Sequence, residues 1–414
     1  MATLVRDFVR SPAIDPFDVS RAELYRDDTW HAPFAQLRAE APIHFVPESE
    51  FGPYWSLSTY KPIVEVESLP DIYSSEVDGF TISRFNPAME GPRMPMFIGR
   101  DRPIHTAQRR TVSPAFTPSE MQRMAIDIRH RTGEVLDGLP WGERFDWVET
   151  VAIELTTQML AILFDFPWAD RRKLTEWSDW AGDIEIVKND ALREQRLGKI
   201  YEMGTYFQGL WNAKLGKEPT PDLISMMLHS DAMSAMDHHE FMGNLILLIV
   251  GGNDTTRNTM SGLAYALDRF PDQRAKLEAD SGLIGNAASE IIRWQTPLAH
   301  MARTPIQDTE LMGHKIAAGD KVVMWYISAN RDESVFGDNG EDFQVDRPNA
   351  RRHLAFGHGI HRCVGARLAE LQVSILMEEM AARRMRVNVV GEPERVAACF
   401  VHGYRKLPVE ISKY

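Results

Sequence analysis

The feature that most constrains this chain is a helix signal of unusual length near its middle. It opens at Asp237, which with Glu240 has the form of an N-terminal cap and reciprocal box, and it runs to Asp268 before Phe270-Pro271. Its first half is apolar nearly all round, so the helix is expected to cross an interior that covers both of its faces. Halfway along stands Gly251-Gly252-Asn253-Asp254-Thr255-Thr256. Glycine in a helix interior costs on the order of 1 kcal/mol relative to alanine. Something other than helix stability must favour that run.

A chain of 414 residues, 44% apolar and 25% charged, is long enough to bury such a helix and too apolar to read as disordered. No convincing linker divides it, so one domain over 1–414 is expected. The formal charge of −13 disfavours nucleic acid and anionic membrane surfaces as partners. Residues 1–20 lack the apolar core of a secretory signal, and the apolar run Leu245 to Val250 falls far short of the roughly 20 residues that span a bilayer. A soluble, cytoplasmic protein is expected. Two cysteines, Cys363 and Cys399, suit a reducing compartment better than a disulfide framework, and no paired spacing suggests zinc.

Ile43 to Val46 and Tyr54 to Ser58, separated by a Pro/Gly/Glu-rich turn, predict a hairpin. From Pro118 to Phe270 helical periodicity dominates, with breaks near Pro140, Pro167 and Pro219 to Pro221. Strand-like segments return at Lys321 to Tyr326 and beyond Met385. The expected fold is mainly α with a smaller β-rich lobe (α+β), without internal repeats.

Near the C-terminus, Phe356-Gly357-His358-Gly359-Ile360-His361-Arg362-Cys363-Val364-Gly365 leads into a helix with Leu368, Leu371, Ile375 and Leu376 at helical spacing. A cysteine at a helix start is favoured as thiolate by backbone N–H groups and the helix dipole, and the glycines allow close approach to a flat ligand. A thiolate is also the ligand that an oxygen-activating haem requires. A lone cysteine is more often a buried structural thiol, and a cysteine hydrolase using His358 or His361 is another alternative, although no oxyanion site is apparent.

Phe356, Gly359, His361, Cys363 and Gly365 resemble, at the right spacing, the haem-binding signature of the cytochrome P-450 family. Glu290-Ile291-Ile292-Arg293 is similar to its Glu-x-x-Arg helix, and Gly252 to Thr256 to its oxygen-groove motif. The resemblance covers nearly the whole chain and is to soluble bacterial members. It implies haem b, with Cys363 as axial ligand and Phe356, His361 and Gly365 around it. His105 and Arg109, with Arg303 and His353, resemble the family's contacts to the two propionates, whose burial demands cationic donors. Thr255 is implied to hydrogen-bond the oxygen being activated, with a helix bulge binding water nearby, and Asp254 to relay protons from solvent. A helix kink with a back-bonded hydroxyl is the bland alternative. Glu290 and Arg293 are expected to pair structurally, but Asp342 stands where the family has a third cation; Arg347 or another nearby arginine is the expected substitute.

Electrons are implied to arrive from a separate ferredoxin and its reductase. Arg109, Arg110, Arg351, Arg352, Arg362 and Arg367 would surround its docking face, an ordinary solvated face being the alternative. Residues expected to line the substrate space are Phe80, Ile82, Phe85, Met94, Met96, Phe97, Leu247, Val250, Gly251, Leu298 and Met301; without the resemblance these read as ordinary core. Gly251 to Asn258, with His300 to Arg303, resemble the terminal-alkane hydroxylases and imply medium-chain n-alkanes as substrates. Fatty acids, terpenes or alkyl-aromatic rings are the alternatives within enzymes. A non-catalytic haem sensor or electron carrier, or a hydrophobic carrier protein, are alternatives of other classes. Trp177 to Trp211 is a candidate lid by analogy.

Overall fold

The computed structural model describes residues 15–85, 92–182 and 190–414. The central helix spans His238–Arg269, and Asp237 caps it by accepting the Glu240 N–H at 2.9 Å. The reciprocal half of the box is not made, because the Glu240 carboxylate instead accepts from Gln108 Nε2 at 2.8 Å. Phe241, Met242, Leu245, Leu248 and Ile249 of its apolar half are buried. Helices Pro118–Asp137, Glu154–Phe164, Arg172–Gly182, Asp190–Lys214, Ile284–Gln295 and Ala366–Ala382 surround it. Helix ends fall near the expected proline breaks, with a short strand Phe145–Asp146 and a π-turn Val148–Ile153 interposed. The central helix itself is α throughout, so the bulge expected near Gly251 is absent. There the Thr255 hydroxyl donates to the Gly251 carbonyl at 2.8 Å, and the hydrogen-bond ladder continues past it.

The hairpin forms over Ile43–Val46 and Tyr54–Leu57, with Ile43 opposite Leu57 and Val46 opposite Tyr54. It becomes part of a five-stranded sheet because Tyr54–Leu57 also pairs, in parallel, with Val322–Trp325. That strand is antiparallel to His300–Pro305, which in turn pairs with Tyr73–Ser74. A second sheet joins Phe145–Asp146, Pro408–Lys413 and Met385–Val389. The architecture is the mainly helical α+β one expected. Among the described residues no helix is long and apolar enough to cross a membrane.

The Glu290–Arg293 helix is clasped to the irregular stretch before the cysteine loop. Glu290 receives Arg293 Nε and Nη2 at 2.7 and 2.8 Å, and both side chains are 0% exposed. The third cation is Arg347, whose Nε lies 3.0 Å from Glu290 Oε1. Asp342 contributes its backbone carbonyl, an acceptor for both arginines. Arg293 also donates to the Asn330 and Gly340 carbonyls. The buried charges are thus paired and hydrogen-bonded, the condition under which burial is tolerated.

Candidate functional site

A cavity of about 460 Å³ lies between the central helix and the cysteine loop. On the helix side it is lined by Leu247, Val250, Gly251, Gly252, Asp254 and Thr255. A Cβ built on Gly251 would meet nothing within 4 Å, so the backbone lies bare to the cavity at that point. Asp254 is 4% exposed and is held by Ser178 Oγ at 2.9 Å and Arg257 Nη2 at 3.1 Å. Arg257 continues to Asp179 at 2.8 Å, a carboxylate that is 51% exposed. A charged chain therefore runs from the cavity wall to water.

Opposite the helix, Cys363 faces the cavity with Phe356, His361 and Gly365. Its N–H donates to the Phe356 carbonyl at 2.7 Å, and Gly357 and Gly359 turn the loop with φ of +67° and +66°, which favour glycine. Burial pushes the Cys363 thiol up, against the pull of the Gly365 N–H and the Arg109 and Arg362 guanidiniums. The expected stabilisation of thiolate by the helix start is therefore present but outweighed by desolvation. A metal cation is what deprotonates a buried thiol outright. Cys399, in contrast, is 0% exposed within the N-terminal core, packed with Tyr25, Tyr54 and Trp325, and does not line the cavity.

At one edge of the cavity His105, Arg109, Arg303 and His361 converge. The rings of His105 and His361 are 4.2 Å apart, yet both nitrogens of His105 and Nδ1 of His361 have no hydrogen-bond partner. His361 Nε2 contacts Ser75 Oγ at 3.1 Å. Burial, then the charges of Arg109 and Arg303, push His105 down to about 4, and burial, Arg303 and His105 push His361 down to about 2. Imidazole nitrogens without a partner, both on His105 and Nδ1 on His361, beside guanidiniums form a socket for carboxylates, so these residues fit a haem with its propionates. His353 is not part of it. It is buried outside the cavity lining, accepts the Ala355 N–H at 3.2 Å, and packs on Phe356 at 5.1 Å.

The remaining walls are largely apolar. Phe80, Phe85, Met94, Met96, Phe97, Leu298 and Met301 line the cavity as expected. Ile82 does not. Ala302 N reaches Phe80 O at 2.7 Å and Ile82 N reaches His300 Nε2 at 3.1 Å, and between these bonds the chain turns Ile82 into the N-terminal core. Met159, Leu160, Ile246, Phe400 and Val401 also belong to the walls. Sequence reasoning missed them because they carry only an ordinary core pattern. It also missed Glu67, a buried acid in the lining. Of the candidate lid, Ala181, Gly182, Arg196 and Ile200 line the cavity, Trp177 is 1% exposed, and 183–189 lie outside the described residues. Arg110, Arg351, Arg352, Arg362 and Arg367 are exposed, and Arg109 is half-buried.

Comparison with known proteins agrees with this geometry. Residues 201–383 match the family model for cytochrome P-450. Linalool 8-monooxygenase of Pseudomonas putida is 34% identical over 95% of this chain and 98% of its own length. A methyl-branched lipid omega-hydroxylase of Mycobacterium bovis is 33% identical over 92% of this chain and 91% of its own. The solved structure of CYP153D17 from Sphingomonas sp. PAMC 26605 is 72% identical, superposes with a TM-score of 0.92, and covers 97% of this chain and 100% of that one. The chain belongs to the cytochrome P-450 family. It is a haem monooxygenase of the hydroxylase type, whose cofactor is ligated by a cysteine thiolate.

Proposed function

We propose that the chain, read as one haem domain, hydroxylates the terminal carbon of medium-chain n-alkanes, with Cys363 as the thiolate that would hold the haem and with His105, Arg109, Arg303 and His361 as the residues that would hold its propionates. The observation that carries this reading is the cavity itself, a largely apolar space whose lining includes both the bare backbone at Gly251 and the Cys363 thiol. The bound haem supplies activation of dioxygen, one atom of which enters a C–H bond. Inner C–H bonds are intrinsically the more reactive, so attack at the terminus requires walls that present the chain end-on. Phe80, Leu247, Val250, Leu298 and Met301 are suited to that task. The methyl-branched lipid omega-hydroxylase among the relatives supports terminal attack.

Thr255 holds a proton at Oγ1 on the cavity wall, and Asp254, through Arg257 and Asp179, links that wall to solvent. Thr255→Ala is expected to lower the yield of alcohol per reductant consumed severalfold while hydrogen peroxide rises. An unchanged product yield would remove Thr255 from the reaction. A ferredoxin with its reductase supplies the electrons in this reading, docking on the face that carries Arg110, Arg351, Arg352, Arg362 and Arg367.

A fatty acid is the second reading, favoured by Arg93 and Arg196 in the cavity wall, where guanidiniums could receive its carboxylate. Titrating the ferric protein with n-octane, and separately with lauric acid, decides between them through the low-spin to high-spin conversion of the haem. A saturable change with octane and little with the acid is expected; the reverse order would replace the alkane reading by the fatty-acid one.

A further inference from the structure

Glu67 is a buried carboxylate without a part in anything described so far. It lies in the last turn of helix Tyr60–Ser68, in the cavity wall, with its side chain 1% exposed. Donors from three separate parts of the chain reach it: Tyr326 Oη at 2.7 Å, the His358 N–H at 2.7 Å, and Arg303 Nη2 at 3.4 Å. His358 belongs to the cysteine loop, and Arg303 to the anion socket. The loop is folded tightly against this residue, since a Cβ at Gly359 would fall 2.1 Å from the Glu67 carbonyl oxygen. Arg303 spends its other terminal nitrogen on the Ala302 carbonyl at 2.8 Å, so Glu67 and that carbonyl together fix the direction of the guanidinium.

We propose that Glu67 is a positioning residue for the haem, which aims Arg303 at a propionate, ties that anchor to the thiolate loop, and lowers the reduction potential of the iron through its own negative charge. A fixed anion in a poorly screened interior stabilises the more positive oxidation state of a nearby metal. Desolvation raises the Glu67 carboxyl above its ordinary range, while Arg303, Tyr326 and the His358 N–H oppose that rise and favour the charged form. A mere clasp between helix and loop would need the hydrogen bonds but not the charge, and that difference is open to measurement. The inference rests on the family's haem and is independent of which substrate the protein oxidises.

The test is a spectroelectrochemical titration of the substrate-free, haem-loaded protein beside Glu67→Gln and Glu67→Asp. The amide keeps an acceptor for the His358 N–H and loses the charge; the shorter acid keeps the charge. At a fixed potential the ferrous to ferric ratio is expected to rise about tenfold in Glu67→Gln, equivalent to about 59 mV for a one-electron couple, and to stay within threefold of the parent in Glu67→Asp. A rise below threefold in Glu67→Gln overturns the proposal and leaves Glu67 a clasp. Should Glu67→Gln fail to retain haem while Glu67→Asp retains it, the charge is again what matters and the proposal stands. Loss of haem from both variants overturns it.

Discussion

Cys363→Ser is expected to leave a folded protein that lacks both hydroxylase activity and the carbon monoxide difference band of a thiolate-ligated haem, whereas Cys399→Ser keeps both. The loop around Cys363 is shaped by backbone, namely the bond from its N–H to the Phe356 carbonyl and the positive φ at Gly357 and Gly359, so its fold does not depend on the sulfur. The sulfur's accessible face belongs to the cavity. Serine there offers a hydroxyl far too weakly acidic to serve as an anionic ligand. At position 399 the side chain packs in an apolar core, and the His300 Nδ1 contact at 2.8 Å goes to the backbone carbonyl, which serine retains. A buried hydroxyl costs about 1–3 kcal/mol, enough to lower stability without touching the cofactor. A thiolate band that survives in Cys363→Ser and vanishes in Cys399→Ser would reverse the assignment.

Glu290→Ala is expected to be among the most damaging single changes outside the cavity. It removes the carboxylate that, among the described residues, compensates Arg293 and Arg347, both almost fully buried, and it also strands the Gln344 N–H that Glu290 Oε1 accepts at 2.9 Å. Removing one partner of such a network costs about 3–5 kcal/mol. For a chain of this length that lowers Tm by about 5 °C. Because the network clamps the stretch that leads into the cysteine loop, haem retention should fall with it. Arg347→Met should cost less, since Arg293 still neutralises the carboxylate. Thermal unfolding followed by both circular dichroism and haem absorbance checks the ranking, and a Tm unchanged in Glu290→Ala would mean that the clasp carries no stability.

Much of the scaffold was legible because its signals are local. The central helix begins after the Asp237 cap and ends one residue beyond the expected Asp268, since capping and periodicity act over a few residues. The cysteine loop and the cavity-facing Gly251 were read from short motifs for the same reason. What failed was the direction of single side chains in irregular segments. Ile82 and Phe80 are two residues apart, yet Phe80 lines the cavity while Ile82 packs in the N-terminal core, where Ile82 N meets His300 from 218 positions away. His353 and His361 flank one loop, yet only His361 turns into the cavity. Glu240 completes no capping box, because Gln108 claims its carboxylate.

The sequence by itself determined the family, the thiol-bearing loop, the long helix opposite it and the apolar character of the space between, all of which rest on residue type and short-range spacing. Only the tertiary structure decided that Arg347 is the third cation, that His105 and His361 meet, that Asp254 reaches solvent through Arg257, and that Glu67 faces Arg303. Each of those contacts joins segments far apart along the chain or depends on which way an irregular loop turns. Their energies come from burial and charge pairing that exist only once the segments are packed.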